Sequence, residues 1–282
     1  MAAIFDGTNG LTFNDGTLMG TANSLGMRNA LFNADFRINQ RGYVSAATLA
    51  AGAYGHDRFK AGASGGDYSF TQLNSSTQVT IASGKSLIQV VEDKNVVGGS
   101  YVLSWTGTAL ARVGVNSATP SGTFVVSPIL ITGQTAGTTM SVEFNAGTLN
   151  TAQLELGTVA TPFERRPIGV ELAVCQRYFQ TYFLNTPTHA EVIMQGMSAT
   201  VGQGTITLKV TMRAPPTTTK VGGVISIQGS GSVGTASLTN AAGTVNVAAL
   251  IMTSNTSVTT IGGCCSLYSS AANTGFTMSA EL

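Results

Sequence analysis

Gln153-Leu154-Glu155-Leu156-Gly157-Thr158-Val159-Ala160-Thr161-Pro162-Phe163-Glu164-Arg165-Arg166-Pro167-Ile168-Gly169, running on through Val170-Glu171-Leu172-Ala173-Val174-Cys175-Gln176-Arg177-Tyr178-Phe179, is where the chain changes its hydrophobic period. Leu154, Leu156 and Val159 read as the end of a strand. Pro162 and Pro167 break sheet and helix interiors alike, because each lacks an N–H and fixes φ. After Gly169, Leu172, Cys175, Phe179 and Tyr182 recur at three- and four-residue steps, which predicts one helical face near Glu171–Tyr182. A strand, a proline-bounded elbow and one short helix over residues 169–184 predict a junction between two domains.

Upstream, period-2 alternation dominates. Phe32, Ala34, Phe36 and Ile38 alternate with Asn33, Asp35, Arg37 and Asn39, which predicts a half-buried strand. Strand-like runs follow at Tyr68–Leu73, Gln78–Ala82, Leu87–Val91, Ser100–Trp105, Ala109–Val115, Thr123–Ile131 and Thr139–Phe144, ending at Gln153–Leu156. Gly, Asn, Ser and Pro separate them, so residues 29–168 are expected to form an all-β sandwich of the jelly-roll kind. Residues 1–28 stand apart: a strand from Gly10, an Asn14-Asp15-Gly16 turn and a second short strand near Leu18 predict a hairpin too small to fold alone. Downstream, Ile206, Leu208, Val210 and Met212 alternate with Thr207, Lys209, Thr211 and Arg213 until Ala214-Pro215-Pro216 stops the run. Residues 185–282 are therefore expected to be a second β-sandwich. The fold class is all-β, two sandwiches joined by one helix.

Of the 282 residues only 10 % are charged, against about 25 % in an ordinary soluble domain. The net charge is +1, and no Lys/Arg run could track a phosphate backbone, so nucleic acid is not an expected partner. No apolar window is long enough for a membrane helix, and Met1–Asp6 lacks the features of a signal peptide. Between Val221 and Ala280 there is no Asp, Glu, Lys or Arg. A surface so free of charge loses little when buried, which predicts packing against sister chains.

Several of these segments resemble bacteriophage tail-fibre and receptor-binding proteins. The Gln153–Tyr178 run resembles a junction in which a "QLE-G-VATPFE-RP" strand closes a sandwich and an "E-L-x-x-C-Q-R-Y" helix leads to a second β-domain. Asn29–Gly42 with Tyr54–Phe59 resembles the opening of phage domains with a carbohydrate-binding-module-like jelly roll, with Asn39 and Phe59 standing where Trp is common. Thr207–Thr217 and the ending Phe276–Leu282 are similar to the C-terminal domains of such fibres, and Gly10–Thr17 to their N-terminal hairpins. The resemblance implies a non-enzymatic virion protein, made without a signal peptide, that attaches to a bacterial surface polysaccharide. It further implies a homotrimer joined to other tail proteins through its N-terminal segment. A decoration protein without a receptor and a polysaccharide depolymerase are the alternatives.

Neutral sugars are held by aromatic faces and by neutral hydrogen-bonding side chains. Tyr101, Leu103 and Trp105 share one strand face, and Tyr68 and Phe70 another. Tyr68, Tyr101 and Trp105 are thus the candidate ligand contacts, or else a core Trp with tyrosines at its edge. A depolymerase would need two carboxylates about 5–9.5 Å apart, drawn from Asp35, Asp57, Asp67, Glu92, Asp93, Glu143, Glu155 and Glu164. The two histidines, His56 and His189, lie in different expected domains, which leaves little for a catalytic triad. No metal-ligand spacing occurs, and no cofactor is expected. Cys175 reads as a buried small hydrophobe, while the adjacent Cys264 and Cys265 should face opposite sides of a strand, with a strained vicinal disulfide as the alternative.

Overall fold

The computed structural model describes residues 4–6, 10–12, 18–19, 27–184, 192–229, 232–269 and 271–282. Among the described residues the regular structure is β-strand apart from one α-helix and a short 3-10 turn, and the chain divides into two compact units, Met1–Glu171 with Leu282 and Leu172–Glu281.

In the first unit β1 (Ile4–Asp6), β2 (Gly10–Thr12) and β3 (Leu18–Met19) form an antiparallel sheet in that order. Leu11 pairs with Met19 and Thr12 with Leu18, as a hairpin requires. The Asn14-Asp15-Gly16 turn lies outside the described residues.

The sandwich has nine strands: β4 (Lys60–Ala61), β5 (Tyr68–Gln72), β6 (Thr77–Ile81), β7 (Leu87–Val91), β8 (Gly99–Gly107), β9 (Ala111–Gly114), β10 (Ile129–Gln134), β11 (Met140–Phe144) and β12 (Gly147–Leu156). One sheet runs β10-β8-β12-β6-β5 and the other β4-β7-β11-β9. The pairings are nested: β6 with β12, β7 with β11, β8 with β10, and Ala111 at the start of β9 with Val125. One long hairpin has wound into two sheets, which is jelly-roll topology. Its core follows the alternation. Leu103 faces Leu154 across the ladder and Trp105 faces Ala152, while Leu87, Val91, Met140, Val142 and Phe144 come from the opposite sheet.

Two expectations in this unit fail. Phe32–Ile38 is not a strand. Asn33 and Phe36 have φ of 54°, a left-handed conformation that no ladder tolerates. The Asn33 amide replaces the ladder, donating to the carbonyls of Ile38 at 2.7 Å and Asp57 at 3.0 Å and accepting from the Ile38 N–H at 2.8 Å. Asn33 to Phe36 are all buried, so polarity alternates there but exposure does not. The run Thr123–Ile131 is also interrupted: only Val125 bridges before β10 begins at Ile129, because Pro128 has no N–H to give.

The helix is α1 (Ile168–Gln176), shorter and earlier than expected. Phe179 and Tyr182 do not lie on it. They belong to β13 (Phe179–Phe183), which pairs with β21 (Gly275–Ser279), itself flanked by β16 (Thr217–Val221). Five residues of ladder, Phe179 to Phe183 against Ser279 to Gly275, outweigh another turn of a marginal helix.

The rest of the second unit corrects the expected second sandwich. β14 (Val192–Gly196), β15 (Val201–Thr207), β17 (Ile225–Gly229), β18 (Ser232–Thr244), β19 (Val247–Ser254) and β20 (Cys264–Tyr268) close into a barrel in the order β14-β15-β19-β18-β17-β20. Closure leaves no free sheet edge. Val192, Met194, Ile206, Ile227, Leu250, Met252, Cys265 and Leu267 fill it. So narrow an interior requires small residues: a Cβ at Gly202 would lie 2.9 Å from Cys265 Sγ. β15 ends at Thr207 rather than running on to Met212. There the buried Gln180 side chain takes over the pairing, accepting from Lys209 N–H at 2.8 Å and donating to the Val210 carbonyl at 2.9 Å.

Candidate functional site

The three candidate aromatics are all buried. Tyr101 is 2 % exposed and Trp105 7 %, on the inner face of β8. Trp105 Nε1 donates to the Ala109 carbonyl at 2.8 Å, and its ring meets Phe144 edge-on at 5.5 Å. The Tyr101 hydroxyl accepts from Val97 N–H at 3.0 Å, and burial raises its pKa. Tyr68 stacks on Tyr43 at 4.4 Å, and its hydroxyl accepts from His56 N–H at 2.7 Å. These side chains build the core and present no face to a sugar. The sequence leaves both readings open because the inner face of a sandwich and a binding platform carry the same aromatic alternation, and the burial fits the core alternative.

His56 completes that cluster. Its Nδ1 lies 2.6 Å from the Tyr68 hydroxyl, and its ring meets Phe70 edge-on at 4.8 Å. Burial pushes the His56 pKa down to about 4 and raises that of Tyr68. A neutral imidazole and the Tyr68 hydroxyl share this hydrogen bond, and the tautomer sets which of them donates. His56 sits in a bend, and His189 lies outside the described residues.

The carboxylates are engaged locally. Asp35 pairs with Arg37, Asp57 with Arg41 at 3.3 Å, Asp67 with Lys85 at 3.6 Å, Asp93 with Lys94 at 3.9 Å and Glu143 with Arg112 at 2.7 Å. Glu92 is buried. Glu155 accepts from Thr161 N–H at 2.8 Å and from its hydroxyl at 2.7 Å. Among the described residues no three His, Cys, Asp or Glu gather into a group that could hold a metal ion.

The most organised polar site is the junction itself. Gln153 and Glu155 project from β12 and fold the following elbow back on the sheet: Gln153 Nε2 donates to Thr161 Oγ1 at 3.0 Å, and Gln153 Oε1 accepts from Glu164 N–H at 2.6 Å. Glu164 in turn accepts from Asn29 N–H at 2.8 Å. Asn29 Nδ2 donates to the Ala152 carbonyl at 2.8 Å, while its Oδ1 accepts from Leu154 N–H at 3.0 Å. Arg166, buried, donates to the carbonyls of Asn29 and Leu31 and pairs with Glu171 at 3.4 Å and Glu164 at 3.7 Å, with its guanidinium 5.3 Å from the Phe32 ring. Glu171 accepts from Asn33 N–H. Arg166 and Asn29 are not among the site residues that the sequence suggests. Their only signal is membership of two separate motifs, and nothing in sequence says those motifs touch.

The barrel offers the contrasting surface. None of its six strands carries a charged residue. An open groove of about 390 Å³ on its outer face is lined by Ile193, Gln195, Gln203, Thr205 and Cys264, with Gly204, Gly262 and Gly263 keeping it clear. Cys264 points outward and Cys265 inward, and neither they nor buried Cys175 form a disulfide. Burial raises the Cys265 pKa. Such a face can hydrogen-bond a neutral partner through amides and a hydroxyl but cannot attract an ion.

A scan against models of protein families finds none that matches this chain, and a search of curated proteins finds no match either.

Proposed function

We propose that this chain is a bacteriophage tail-fibre or receptor-binding protein that attaches the virion to a glycan on the bacterial surface, without catalysing a reaction. The observation that carries this reading is the junction. Gln153, Glu155, Thr161, Glu164, Arg166 and Glu171, six polar residues of the run that resembles phage fibres, form one interlocked hydrogen-bonded site together with Asn29 and Asn33 of the other resembling segment. Residues with so specific a joint use support a shared module over a chance likeness of composition. The charge-free barrel fits an uncharged ligand and close packing of sister chains in a homotrimer. On this reading the N-terminal sheet joins the chain to other tail proteins.

A decoration protein without a receptor is the second reading. It is favoured by the burial of Tyr68, Tyr101 and Trp105, which removes the aromatic platform. Adsorption competition separates the two. Purified protein should block infection by a phage carrying it if it binds the receptor, and should leave infection unchanged if it only decorates. Release of reducing sugar from host polysaccharide would overturn both in favour of a depolymerase.

A further inference from the structure

The junction residues close a short circuit across the sandwich. Arg166 Nη2 donates to the carbonyl of Asn29, 137 positions earlier in the chain. Glu164 accepts from Asn29 N–H, and Arg28 Nη2 reaches the Pro162 carbonyl at 3.3 Å. On the exit side Arg166 Nη1 lies 3.4 Å from both carboxylate oxygens of Glu171. The Glu171 N–H donates to the Pro167 carbonyl at 3.0 Å, which closes the first turn of α1. The chain's entry into the sandwich and its exit are therefore bonded to each other through buried, charged side chains, while the nine strands lie in the loop between them.

We propose that the Arg166 cluster is a mechanical clamp, which carries tension between the segments flanking the sandwich and keeps that load off the sheets. The path runs from Asn29 through Glu164 and Arg166 into Pro167, with Glu171 holding the Arg166 guanidinium in place. Charge-assisted bonds on a short, doubly connected path must break before the sheets are loaded. Once they break, the load passes to the Gln153 and Glu155 bonds on Thr161 and Glu164, and when these give way the elbow between Leu156 and Pro167 comes free, adding about 35 Å of extended chain. The inference does not rest on the receptor reading, since it concerns only how the sandwich is closed.

Single-molecule pulling on the full chain tests it, with handles introduced at Met27 and Val170, both exposed and lying outside the bonds that join Asn29 to Glu164 and Arg166. The native protein should show no early step. Arg166→Met should open at a fixed load roughly 10- to 100-fold faster, with a first step of about 35 Å. A control geometry, with handles at the exposed Leu73 and Val126, loads the sandwich without the clamp, and there the variant should behave as native. If Arg166→Met does not fold, Glu171→Gln, which keeps the size and removes the charge, is read in the same two geometries. Native-like opening in the first geometry would overturn the clamp. So would equal acceleration in both, which would make Arg166 a general stabiliser only.

Discussion

His56 shows how one residue couples burial to pH. Its ring is enclosed by Phe36, Phe70, Tyr43 and Tyr68, its Nδ1 shares a hydrogen bond with the Tyr68 hydroxyl, and burial favours neutral imidazole. Its folded pKa of about 4 lies below the ordinary 6.5, so the unfolded chain takes up the proton first. The stability contributed is therefore complete above pH 6.5, falls as pH drops toward 4, and changes no further below that. The shift corresponds to on the order of 3 kcal/mol. His56→Asn keeps a hydrogen-bonding partner for Tyr68 but does not titrate. Between pH 7 and pH 4 the native protein should lose about that much more stability than the variant in denaturant unfolding. Equal losses would mean that His56 is not held neutral. None of this was legible in the sequence, where His56 is one polar residue in a Gly-rich turn.

Among the elements, the strands β5 to β8 and β11 lie close to the runs of alternating residues. A sandwich buries one face of each strand, so the period of the sequence becomes the period of burial. The elbow after β12 is different. Its course is set by Gln153 and Glu155, two polar side chains on an otherwise ordinary strand, which bond Thr161 and Glu164. Gln153→Ala should free the elbow while leaving the sandwich folded. Amide exchange at Glu164, whose N–H loses its acceptor, should speed by roughly tenfold or more, as expected for a hydrogen bond worth about 1.5 kcal/mol. Protection in β7 and β11 should stay as it was. Loss of protection throughout would instead make Gln153 part of the cooperative core.

For the molecule as a whole, the distribution of charge is the main lever. The first unit holds buried ion pairs such as Arg166–Glu171, whereas the barrel strands hold no charge at all. Ile193, Val233 and Ile261 are exposed on that barrel. A face of this kind meets its own copy without charge repulsion and with little desolvation cost, which underlies the trimer proposed above. Sedimentation at micromolar concentration should give three times the single-chain mass, with little change between low and high salt. A single-chain mass would sink the trimer, and a strongly salt-dependent one would mean that charged residues outside the barrel hold it together.

The sequence by itself determined the β-class of the chain, most strands of the first unit, the N-terminal hairpin, and the existence of one helix after Pro167. These follow from local physics: side-chain period, missing N–H groups at proline, and turn residues act within a few positions. Only the tertiary structure decided that Tyr68, Tyr101 and Trp105 face inward, that Phe179 leaves the helix for a ladder with Ser279, and that β14 meets β20 to close a barrel. It also decided that Asn29 and Arg166 share one site. Each of these depends on which distant segment supplies the partner. Periodicity reports that a face is apolar or that a group needs a hydrogen bond, but the partner is chosen by the packing of the whole chain.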